Sequence, residues 1–252
     1  MASRTAATRL VCLLGHPVGH SVSPQIHAAA FADAGIDAVY LACDVAEDRL
    51  ATAVTGLRAL GALGANVTVP HKRTVVDLVD ELTPEAQAVG AVNTLWFRDG
   101  RLMGDNTDTS GLGDVLDTIG LRSGDPVLLF GAGGAARAAA VAFGRRRANV
   151  EVVARRREAA AEVAALATVA GATLIGPDAA GRPRFVVNAT PLGLGGEPLP
   201  RRFMDLAADQ VALDLVYAAT ATPFVAAARA AGARALDGRG MLVAQAARSF
   251  QR

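Results

Sequence analysis

The chain has 252 residues, of which 52% are hydrophobic and 19% are charged, and its 25 Lys and Arg against 24 Asp and Glu give a net charge of +1. This length accommodates one large or two medium domains, and the apolar content excludes a wholly disordered chain. The balanced charge gives no electrostatic reason to expect a nucleic-acid or acidic-membrane partner, and no apolar stretch is long enough to predict a membrane span.

Apolar runs of strand length alternate with helical patterns along the chain, which predicts β-α units. Most of the runs are continuous, as in strands that a parallel sheet buries on both faces. The fold class is therefore expected to be α/β. The predicted strands are 9–14, 38–42, 65–69, 127–130, 149–153, 185–188 and 211–216.

Helix and turn signals lie between the predicted strands. The pair Asp99-Gly100 inside the run 96–102 predicts a β-hairpin. Two arginine runs, 145–147 and 155–157, are expected to lie on the solvated surface, as most charge runs do. The helix signals are caps followed by proline at 23–24 and 222–223, glycine stops at 35 and 232, and an apolar stripe at 50, 54 and 57.

A glycine-rich loop follows the predicted strand 127–130 and leads into an alanine-rich helix. Its sequence is Gly131-Ala132-Gly133-Gly134-Ala135-Ala136, and strand 149–153 completes a β-α-β unit around it. The glycines allow a tight turn and close backbone approach, so a pyrophosphate can rest on the helix N-terminus. The loop therefore predicts a dinucleotide site, with a tight turn that binds no ligand as the alternative.

The strand after the glycine loop ends in Arg155, Arg156 and Arg157, about 20 residues beyond the glycines. A site that prefers NAD would have Asp or Glu at this strand end, but Glu151 lies inside the strand and Glu158 follows the arginines. Arginine suits a 2′-phosphate through charge-assisted hydrogen bonds. We therefore expect NADP, bound near the first two arginines, and expect the third to be a solvated helix start.

Three polar patches lie in the first half of the chain, each beside an apolar run. Ser21 and Ser23 flank a helix start, where hydroxyls can bind a carboxylate, although Ser23 also fits a simple N-cap. Asn66 and Thr68 project from one face of a predicted strand. Asp108 precedes a helix, where a chemical role and a capping role stay open. The patches are 15–24, 66–72, and 93–94 with 104–108.

Lys72 is the only lysine among the 25 basic residues, so the chain uses arginine wherever a generic surface cation suffices. A compact ammonium cannot be replaced by a guanidinium where its geometry matters. Together with a carboxylate such as that of Asp108, it can pass a proton to or from an oxygen while a hydride moves on a nicotinamide. With the surrounding hydroxyls and amides, these residues predict a small polyhydroxylated acid as substrate.

The two cysteines, Cys12 and Cys43, are too few for a disulfide framework or a zinc cluster, and the four histidines show no metal-binding pattern. The start of the chain has Arg4 and Arg9 before only a short apolar run, which does not predict a signal peptide. We therefore expect no metal and a soluble protein of the cytoplasm.

The chain resembles the shikimate dehydrogenase family over nearly its whole length. The resemblance rests on eight motifs in the family's order, and their order makes it stronger than any one motif could. They are H-S-V-S-P at 20–24, N-V-T-V-P-H-K at 66–72, G-A-V-N-T at 90–94, G-D-N-T-D at 104–108, G-A-G-G-A-A-R at 131–137, N-A-T-P-L-G at 188–193, D-L-V-Y at 214–217, and G-M-L at 240–242 followed by Gln245.

This resemblance implies reversible NADP-dependent reduction of 3-dehydroshikimate to shikimate, in the chorismate route to the aromatic amino acids. It implies Lys72 and Asp108 as the catalytic pair, which also contacts substrate, and Ser21 and Ser23 as ligands of the substrate carboxylate. The other residues implied for substrate are Asn66, Thr68, Asn93, Tyr217 and Gln245. Those implied for the cofactor are Gly131, Ala132, Gly133, Gly134, Ala135, Ala136, Arg155, Arg156, Asn188, Ala189, Thr190, Val216, Gly238 and Met241.

The resemblance also implies two α/β domains with the active site in a cleft between them. The substrate-binding domain is expected at 1–107, with 238–252 returning to it, and a Rossmann-type NADP domain with a parallel sheet at 108–237. Where the family commonly has Asn-Arg-Thr, this chain has Ala154-Arg155-Arg156, which favours some use of NAD beside NADP. Family members usually continue beyond the helix of Gln245, whereas this sequence ends at Arg252.

Other functions stay open at this point. Within enzymes, the chain could be a quinate or aminoshikimate dehydrogenase with relaxed cofactor use, although the paired Ser21 and Ser23 resemble the shikimate type more. From another class, it could be a non-catalytic NADP-responsive binding protein, against which the intact Lys72 and Asp108 argue. We expect a small-molecule substrate, no nucleic-acid or membrane partner, and a monomer or homodimer.

Overall fold

The computed structural model describes residues 4–176 and 182–252, and the chain divides into two compact units. The first unit contains the residues up to Thr107 together with Gln245–Arg252, and the second contains Asp108–Ala244. Met241, which precedes the returning segment, packs into the core of the second unit. The expected domains, 1–107 with 238–252 and 108–237, stay a prediction.

The described part of the first unit contains one six-stranded sheet with the order β2-β1-β3-β5-β6-β4. Its strands are β1 (Arg9–Gly15), β2 (Ala38–Asp44), β3 (Gly64–Val67), β4 (Glu81–Leu82), β5 (Thr94–Arg98) and β6 (Arg101–Asp105). Its helices are α1 (Ser23–Asp33), α2 (Leu50–Ala59) and α3 (Pro84–Val89), with 3-10 turns at Glu47–Arg49 and Thr74–Leu78. The strands β1, β2 and β3 are parallel, and β5 is antiparallel to both β3 and β6.

Local sequence explains the elements of the first unit. The apolar stripe of α2 (Leu50, Val54 and Leu57) is buried, which confirms its amphipathic pattern. The predicted hairpin joins β5 to β6, and its turn residues Asp99 and Gly100 have φ values of 51° and 76°. Two successive positive φ values are typical of a type I′ turn, which matches the twist of the flanking strands.

The described part of the second unit contains a six-stranded sheet with the order β12-β11-β10-β7-β8-β9, and all its strand pairs are parallel. Its strands are β7 (Pro126–Phe130), β8 (Asn149–Val153), β9 (Thr173–Leu174), β10 (Phe185–Asn188), β11 (Val211–Asp214) and β12 (Arg234–Leu236). Its helices are α4 (Asp108–Ile119), α5 (Gly134–Arg145), α6 (Arg157–Val169), α7 (Arg201–Met204) and α8 (Pro223–Ala230), followed by α9 (Arg239–Phe250), whose last residues belong to the first unit.

The sheet of the second unit is covered on both faces. Val127 and Leu129 of β7 pack into the core that α4, α5 and α6 line, while Leu128 and Phe130 pack into the core under α7 and α8. Alternate side chains of one strand thus enter two apolar layers, which explains why the strand is a continuous apolar run. No helix in the part of the chain that the structure describes is long and apolar enough to cross a membrane.

Three local predictions were wrong. The strand expected at 65–69 ends at Val67, because a turn begins at Thr68, and the strand expected at 211–216 ends at Asp214, whose carboxylate bonds the N–H of Val216. Arg146 of the arginine run 145–147 is not solvated. Its guanidinium is half-buried and donates to the Gly113 carbonyl, so it fixes α4 beside the end of α5.

Candidate active site

The ends of β1 and β3 bring two of the predicted patches together in the first unit. The backbone N–H of Thr68 donates to the carbonyl of Leu14. A Cβ on Gly15 would clash with methyl carbons of Thr68 and Val18, so glycine allows this close approach. The loop at 16–22 and the loop at 68–72 therefore leave the sheet at the same edge, as parallel neighbouring strands require.

Ser21 and Ser23 form a hydroxyl pair at the start of α1. The Ser21 hydroxyl donates to Ser23 Oγ at 3.2 Å and accepts the Ser23 backbone N–H at 3.2 Å. Ser23 is the first helical residue, Val22 holds the N-cap position, and no side chain of the described residues caps the helix. The prediction that Ser23 caps α1 is therefore wrong, which leaves its buried hydroxyl for another role.

Asn66 lies at the centre of a polar cluster between strands. It stands opposite Thr94 in the β3–β5 ladder, and its Nδ2 donates to Thr94 Oγ1 at 3.3 Å and to the Asn93 carbonyl at 3.1 Å. Its Nδ2 also lies 2.7 Å from Ser249 Oγ, on α9, and its Oδ1 accepts the Tyr40 hydroxyl at 2.8 Å. The amide is therefore held from several sides and has a fixed orientation.

Asn93 links the cluster to the end of β6. Its Oδ1 accepts the Thr107 backbone N–H at 2.9 Å, and its Nδ2 donates to Thr107 Oγ1 at 3.0 Å and to Gln245 Oε1 at 3.4 Å. The structure thus brings together Asn66, Asn93 and Gln245, which lie far apart in the sequence. Hydroxyl and amide groups at one sheet edge suit a ligand with several hydroxyls.

Lys72 lies beside these polar strand ends. Its backbone carbonyl accepts the Val92 N–H at 2.7 Å, which places it beside the start of β5, and its side chain is half-buried. The turn before it is fixed by His71, which is buried and whose Nε2 lies 2.7 Å from the Val45 carbonyl oxygen. This histidine therefore has a structural role.

The stacked rings of His27 and Tyr40 support the polar cluster around Asn66. Their rings stack with centroids 4.3 Å apart and an interplanar angle of 8°. Burial lowers the pKa of His27 to about 4, because the charged imidazolium would lose its hydration. A neutral His27 therefore fixes the ring whose hydroxyl holds Asn66.

The glycine loop of the second unit has the geometry of a phosphate cradle. Gly131 has φ +132°, and a Cβ there would lie 2.7 Å from the carbonyl oxygen of Ala189. A Cβ on Gly133, in contrast, would meet no described atom within 4 Å, so the loop is open on the side of the helix start. Gly133 is the N-cap of α5, and no described side chain caps this helix, so its first N–H groups, those of Gly134, Ala135 and Ala136, suit an anion.

Two arginines stand at the end of β8. Arg155 and Arg156 are exposed, and neither forms an ion pair with a residue of 4–176 or 182–252. The strand residue Glu151 is not at this end, and Arg202 holds its carboxylate at 2.6 Å. Arg157 is the first residue of α6 and lines a groove of about 560 Å³ between α6 and β8 that contains no residue of the glycine loop. Arg155 and Arg156 therefore suit the 2′-phosphate of NADP better than the ribose 2′-hydroxyl of NAD.

Asp214 joins the ends of β10 and β11, and it was not among the residues predicted for the site. Its buried carboxylate accepts the Thr222 hydroxyl at 2.6 Å, the Asn188 Nδ2 at 2.8 Å and the Val216 N–H at 3.0 Å. Burial raises the pKa of Asp214 above its ordinary value, although the three hydrogen bonds oppose the rise. Through this carboxylate, the loop after β10 and the loop after β11 are fixed to each other. Gly238 N–H also donates to the Val216 carbonyl at 3.0 Å.

The other predicted residues of the second unit have simpler surroundings. Asn188 Oδ1 accepts the Thr190 N–H at 3.0 Å, which shapes the turn that contains Ala189. Met241 is buried in the apolar core beside the first turn of α9, and Tyr217 is half-buried. Asp108 is the first residue of α4 and is buried.

No group of three or more His, Cys, Asp or Glu residues among the described residues could hold a metal ion. The residues that the sequence analysis missed are Tyr40, Thr94, Thr107, Asp214 and Ser249. Thr94, Thr107 and Asp214 lie inside identified motifs, where a buried polar residue beside a strand could have indicated them. Tyr40 and Ser249 carry no such signal, because only the strand register and α9 bring them to Asn66.

Residues 13–95 match the family model of the shikimate dehydrogenase substrate-binding domain. A curated relative, the shikimate dehydrogenase (NADP(+)) of Salinibacter ruber, is 44% identical over 98% of this chain and 92% of its own length.

Solved structures extend the likeness to the fold. Shikimate dehydrogenase from Aquifex aeolicus has a TM-score of 0.89 and 33% identity, covering 98% of this chain and 92% of its own. Shikimate 5-dehydrogenase from Thermus thermophilus, solved with NADP(H) and shikimate, has a TM-score of 0.84 and 36% identity, covering 96% of this chain and 92% of its own.

Proposed function

This chain belongs to the shikimate dehydrogenase family, and we propose that it is itself an NADP-dependent shikimate dehydrogenase. The reaction is the reversible reduction of 3-dehydroshikimate to shikimate by NADPH, a step toward the aromatic amino acids. The observation that carries the proposal is that one chain holds both a buried amide and hydroxyl cluster and a glycine cradle followed by exposed arginines. Relatives that share nearly the whole chain carry the same name.

We assign the substrate to the strand ends of the first unit. The paired hydroxyls of Ser21 and Ser23 would bind its carboxylate, since they lie 3.2 Å apart and neither caps α1. Its ring hydroxyls would meet amides and hydroxyls that the cluster around Asn66 holds in fixed orientations, which lowers the entropy cost of binding. The remaining substrate contacts are assigned to Thr68, Asn93, Tyr217 and Gln245.

We assign the proton exchange to Lys72 and Asp108. Oxidation of shikimate removes a hydride from the carbon that bears the reacting hydroxyl and a proton from its oxygen. The ammonium of Lys72 would stabilise charge at that oxygen, and the buried carboxylate of Asp108 would orient the hydroxyl and share its proton. In the reductive direction, the same two groups would return the proton.

NADP, when bound, would supply the hydride acceptor. We assign its pyrophosphate to Gly131, Ala132 and Gly133 with the first amides of α5, and its 2′-phosphate to Arg155 and Arg156. The turns that Asp214 fixes, at Asn188, Ala189 and Thr190 and at Val216, would line the nicotinamide side together with Gly238 and Met241. Because hydrogen bonds to Asp214 link these turns, they would line the nicotinamide site as one unit.

We also propose a cytoplasmic location and a monomeric or homodimeric state. Cys12 and Cys43 are free thiols, which suits a reducing compartment. The formal net charge of +1 gives no reason for a nucleic-acid or membrane partner.

The experiment combines shikimate or quinate with NADP⁺ or NAD⁺ and follows nicotinamide reduction by absorbance. We expect fast reduction of NADP⁺ with shikimate, slower reduction of NAD⁺, and little turnover of quinate. A preference for quinate or NAD⁺ would move the assignment to a quinate-type dehydrogenase. NADP⁺ binding by folded protein without turnover of any pair would favour a non-catalytic binding protein.

A further inference from the structure

The carboxylate of Asp105 is buried at the last residue of β6, and only 2% of the residue is exposed. A buried carboxylate is stabilised by a hydrogen-bond partner for each oxygen and, when it is charged, by a counter-charge. Its Oδ1 accepts the Asn106 backbone N–H at 2.8 Å and the Thr83 hydroxyl at 2.5 Å. Both of these donors are neutral, so neither supplies the charge.

The charge comes from Arg252. Its Nε lies 2.8 Å and its Nη2 2.7 Å from Asp105 Oδ2, so both donors converge on one oxygen. The guanidinium carbon also lies 5.6 Å from the centre of the Trp96 ring, on β5. The aromatic face and the carboxylate thus fix the guanidinium from two directions.

The backbone around Asp105 belongs to the candidate site. Its carbonyl accepts the Asn93 N–H at 2.9 Å, and the next residue, Asn106, donates from Nδ2 to the Ala91 carbonyl at 2.9 Å. Thr107 follows and exchanges hydrogen bonds with the Asn93 side chain. The Asp105 carboxylate adds to these bonds, because it also joins the segment 105–107 to Thr83 and to Arg252.

We propose that Arg252 is a positioning residue for the substrate site: it neutralises Asp105 and thereby holds the segment 105–107 and the amide of Asn93 in their working orientation. This inference rests on the proposed function, since Asn93 is assigned to substrate there. Arg252 itself need not touch substrate. Its effect on activity passes through the charge of Asp105, which distinguishes it from a residue that only adds packing on Trp96.

The test begins with Arg252→Ala and the matched control Arg101→Ala. Arg101 lies on β6 as well and pairs with Glu81 at 3.0 Å, but that pair is exposed. We expect Arg252→Ala to lower kcat/KM for shikimate roughly tenfold to a hundredfold, because small misplacements of binding groups cost that much. The KM for NADP⁺ should not change, and Arg101→Ala should behave as the parent protein.

A double variant separates charge from packing. In Arg252→Ala, the buried carboxylate has lost its counter-charge, and Asp105→Asn in the same chain removes the charge while keeping an oxygen for Asn106 and Thr83. We expect Arg252→Ala/Asp105→Asn to regain most of the lost kcat/KM. Failure of the double variant to recover, or an Arg252→Ala variant with the parent's kinetics, would overturn the proposal.

Amide hydrogen exchange of the ligand-free protein gives a readout that needs no turnover. We expect faster exchange at residues 105–107 in Arg252→Ala, and parental exchange there in Arg101→Ala and in the double variant. Unchanged exchange in Arg252→Ala would refute the positioning role. If the parent protein does not turn over shikimate, the proposed function fails, while this exchange pattern still decides the role of Arg252.

Discussion

Lys72 is the residue on which the proposed chemistry depends most. It is the one lysine of the chain, and its backbone bond to Val92 places it beside the start of β5, next to Asn93. Composition alone could single it out, because the chain uses arginine at its other basic positions. From the sequence, Lys72 could be placed only just beyond the end of the preceding strand. Its position beside the start of β5 became known from the structure.

We predict that Lys72→Ala lowers kcat by roughly 10²-fold or more, because a proton-transfer group contributes at least that much. Binding of NADP⁺, measured by fluorescence titration, should stay as in the parent protein. The neighbouring Arg73 is exposed, so Arg73→Ala is the matched control and should retain the parent's kcat. A Lys72→Ala variant with near-normal kcat would contradict the catalytic role.

The arginine pair at the end of β8 sets the expected choice of cofactor. We predict that Arg155→Ala/Arg156→Ala raises the KM for NADP⁺ roughly tenfold to a hundredfold, because charge-assisted hydrogen bonds to the phosphate are lost. The KM for NAD⁺ should change little, since NAD⁺ has no 2′-phosphate. Steady-state kinetics measure the KM for each cofactor in the parent protein and in the variant. Arg157→Ala serves as the control. Equal losses for the two cofactors would refute the assignment.

Buried His27 makes stability depend on pH. Its folded pKa of about 4 lies below the ordinary value of 6.5, so the unfolded chain takes up the proton first. Stability is therefore lost as pH falls from about 6.5 to about 4, by about 3 kcal/mol in total from this residue. The contribution is fully present above pH 6.5.

We predict that His27→Phe removes this part of the pH dependence, because phenylalanine can stack on Tyr40 but cannot take a proton. The free energy of unfolding from urea titrations at pH 7 and at pH 4 measures the effect. His20 is exposed, and His20→Ala controls for the loss of a histidine. A His27→Phe variant that loses as much stability as the parent between these two pH values would show that other groups dominate.

At the scale of elements, the close packing of α5 on α6 depends on Gly144. A Cβ there would lie 2.5 Å from the Ala167 carbonyl oxygen and 2.5 Å from the Ala170 Cβ. Both contacts are too short for real atoms, and one of them is with backbone. The helices would have to separate, which weakens the core beneath them.

We predict that Gly144→Ala destabilises the protein by about 1–3 kcal/mol. Gly56→Ala, inside α2, is the matched control, because a Cβ there meets nothing within 4 Å. That substitution should stabilise by about 0.5–1 kcal/mol, since alanine favours the helix. Urea unfolding of both variants measures the difference, and the same sign for both would contradict the packing argument.

Sequence patterns predicted the long elements well and the short ones poorly. The continuous apolar runs of β1, β7 and β10 could be identified because burial on both faces leaves few polar residues in them. The strands β4, β9 and β12 were not predicted. They have two or three residues, too few for a period to appear, and pairing with a neighbouring strand defines them.

The same limit applies to the candidate site. Ser21, Asn66, Asn93 and Lys72 could be identified because polar residues interrupt apolar runs there. The contact of Asn66 with Ser249 joins residues 183 positions apart, and it depends on the course of α9, which no local pattern contains. The hydrogen bonds of Asp214 depend in the same way on the ends of two strands, β10 and β11, and on the start of α8.

At the scale of the whole molecule, the chain is organised as two α/β units with different tasks in the proposed function. The first has a mixed sheet whose polar strand edge suits a hydroxylated acid, and the second has a parallel sheet whose glycine loop suits a dinucleotide. The helix α9 belongs to both units in sequence, with Met241 in the core of one and Gln245 in the polar cluster of the other.

The most direct measurement is the amount of shikimate formed for each NADPH oxidised. Purified protein is mixed with 3-dehydroshikimate and NADPH, and the products are quantified by NMR. We predict that one shikimate forms for each NADPH oxidised and that Lys72→Ala protein forms almost none. NADPH that binds but is not oxidised, or oxidation that yields a product other than shikimate, would contradict the assignment of this chain as a shikimate dehydrogenase.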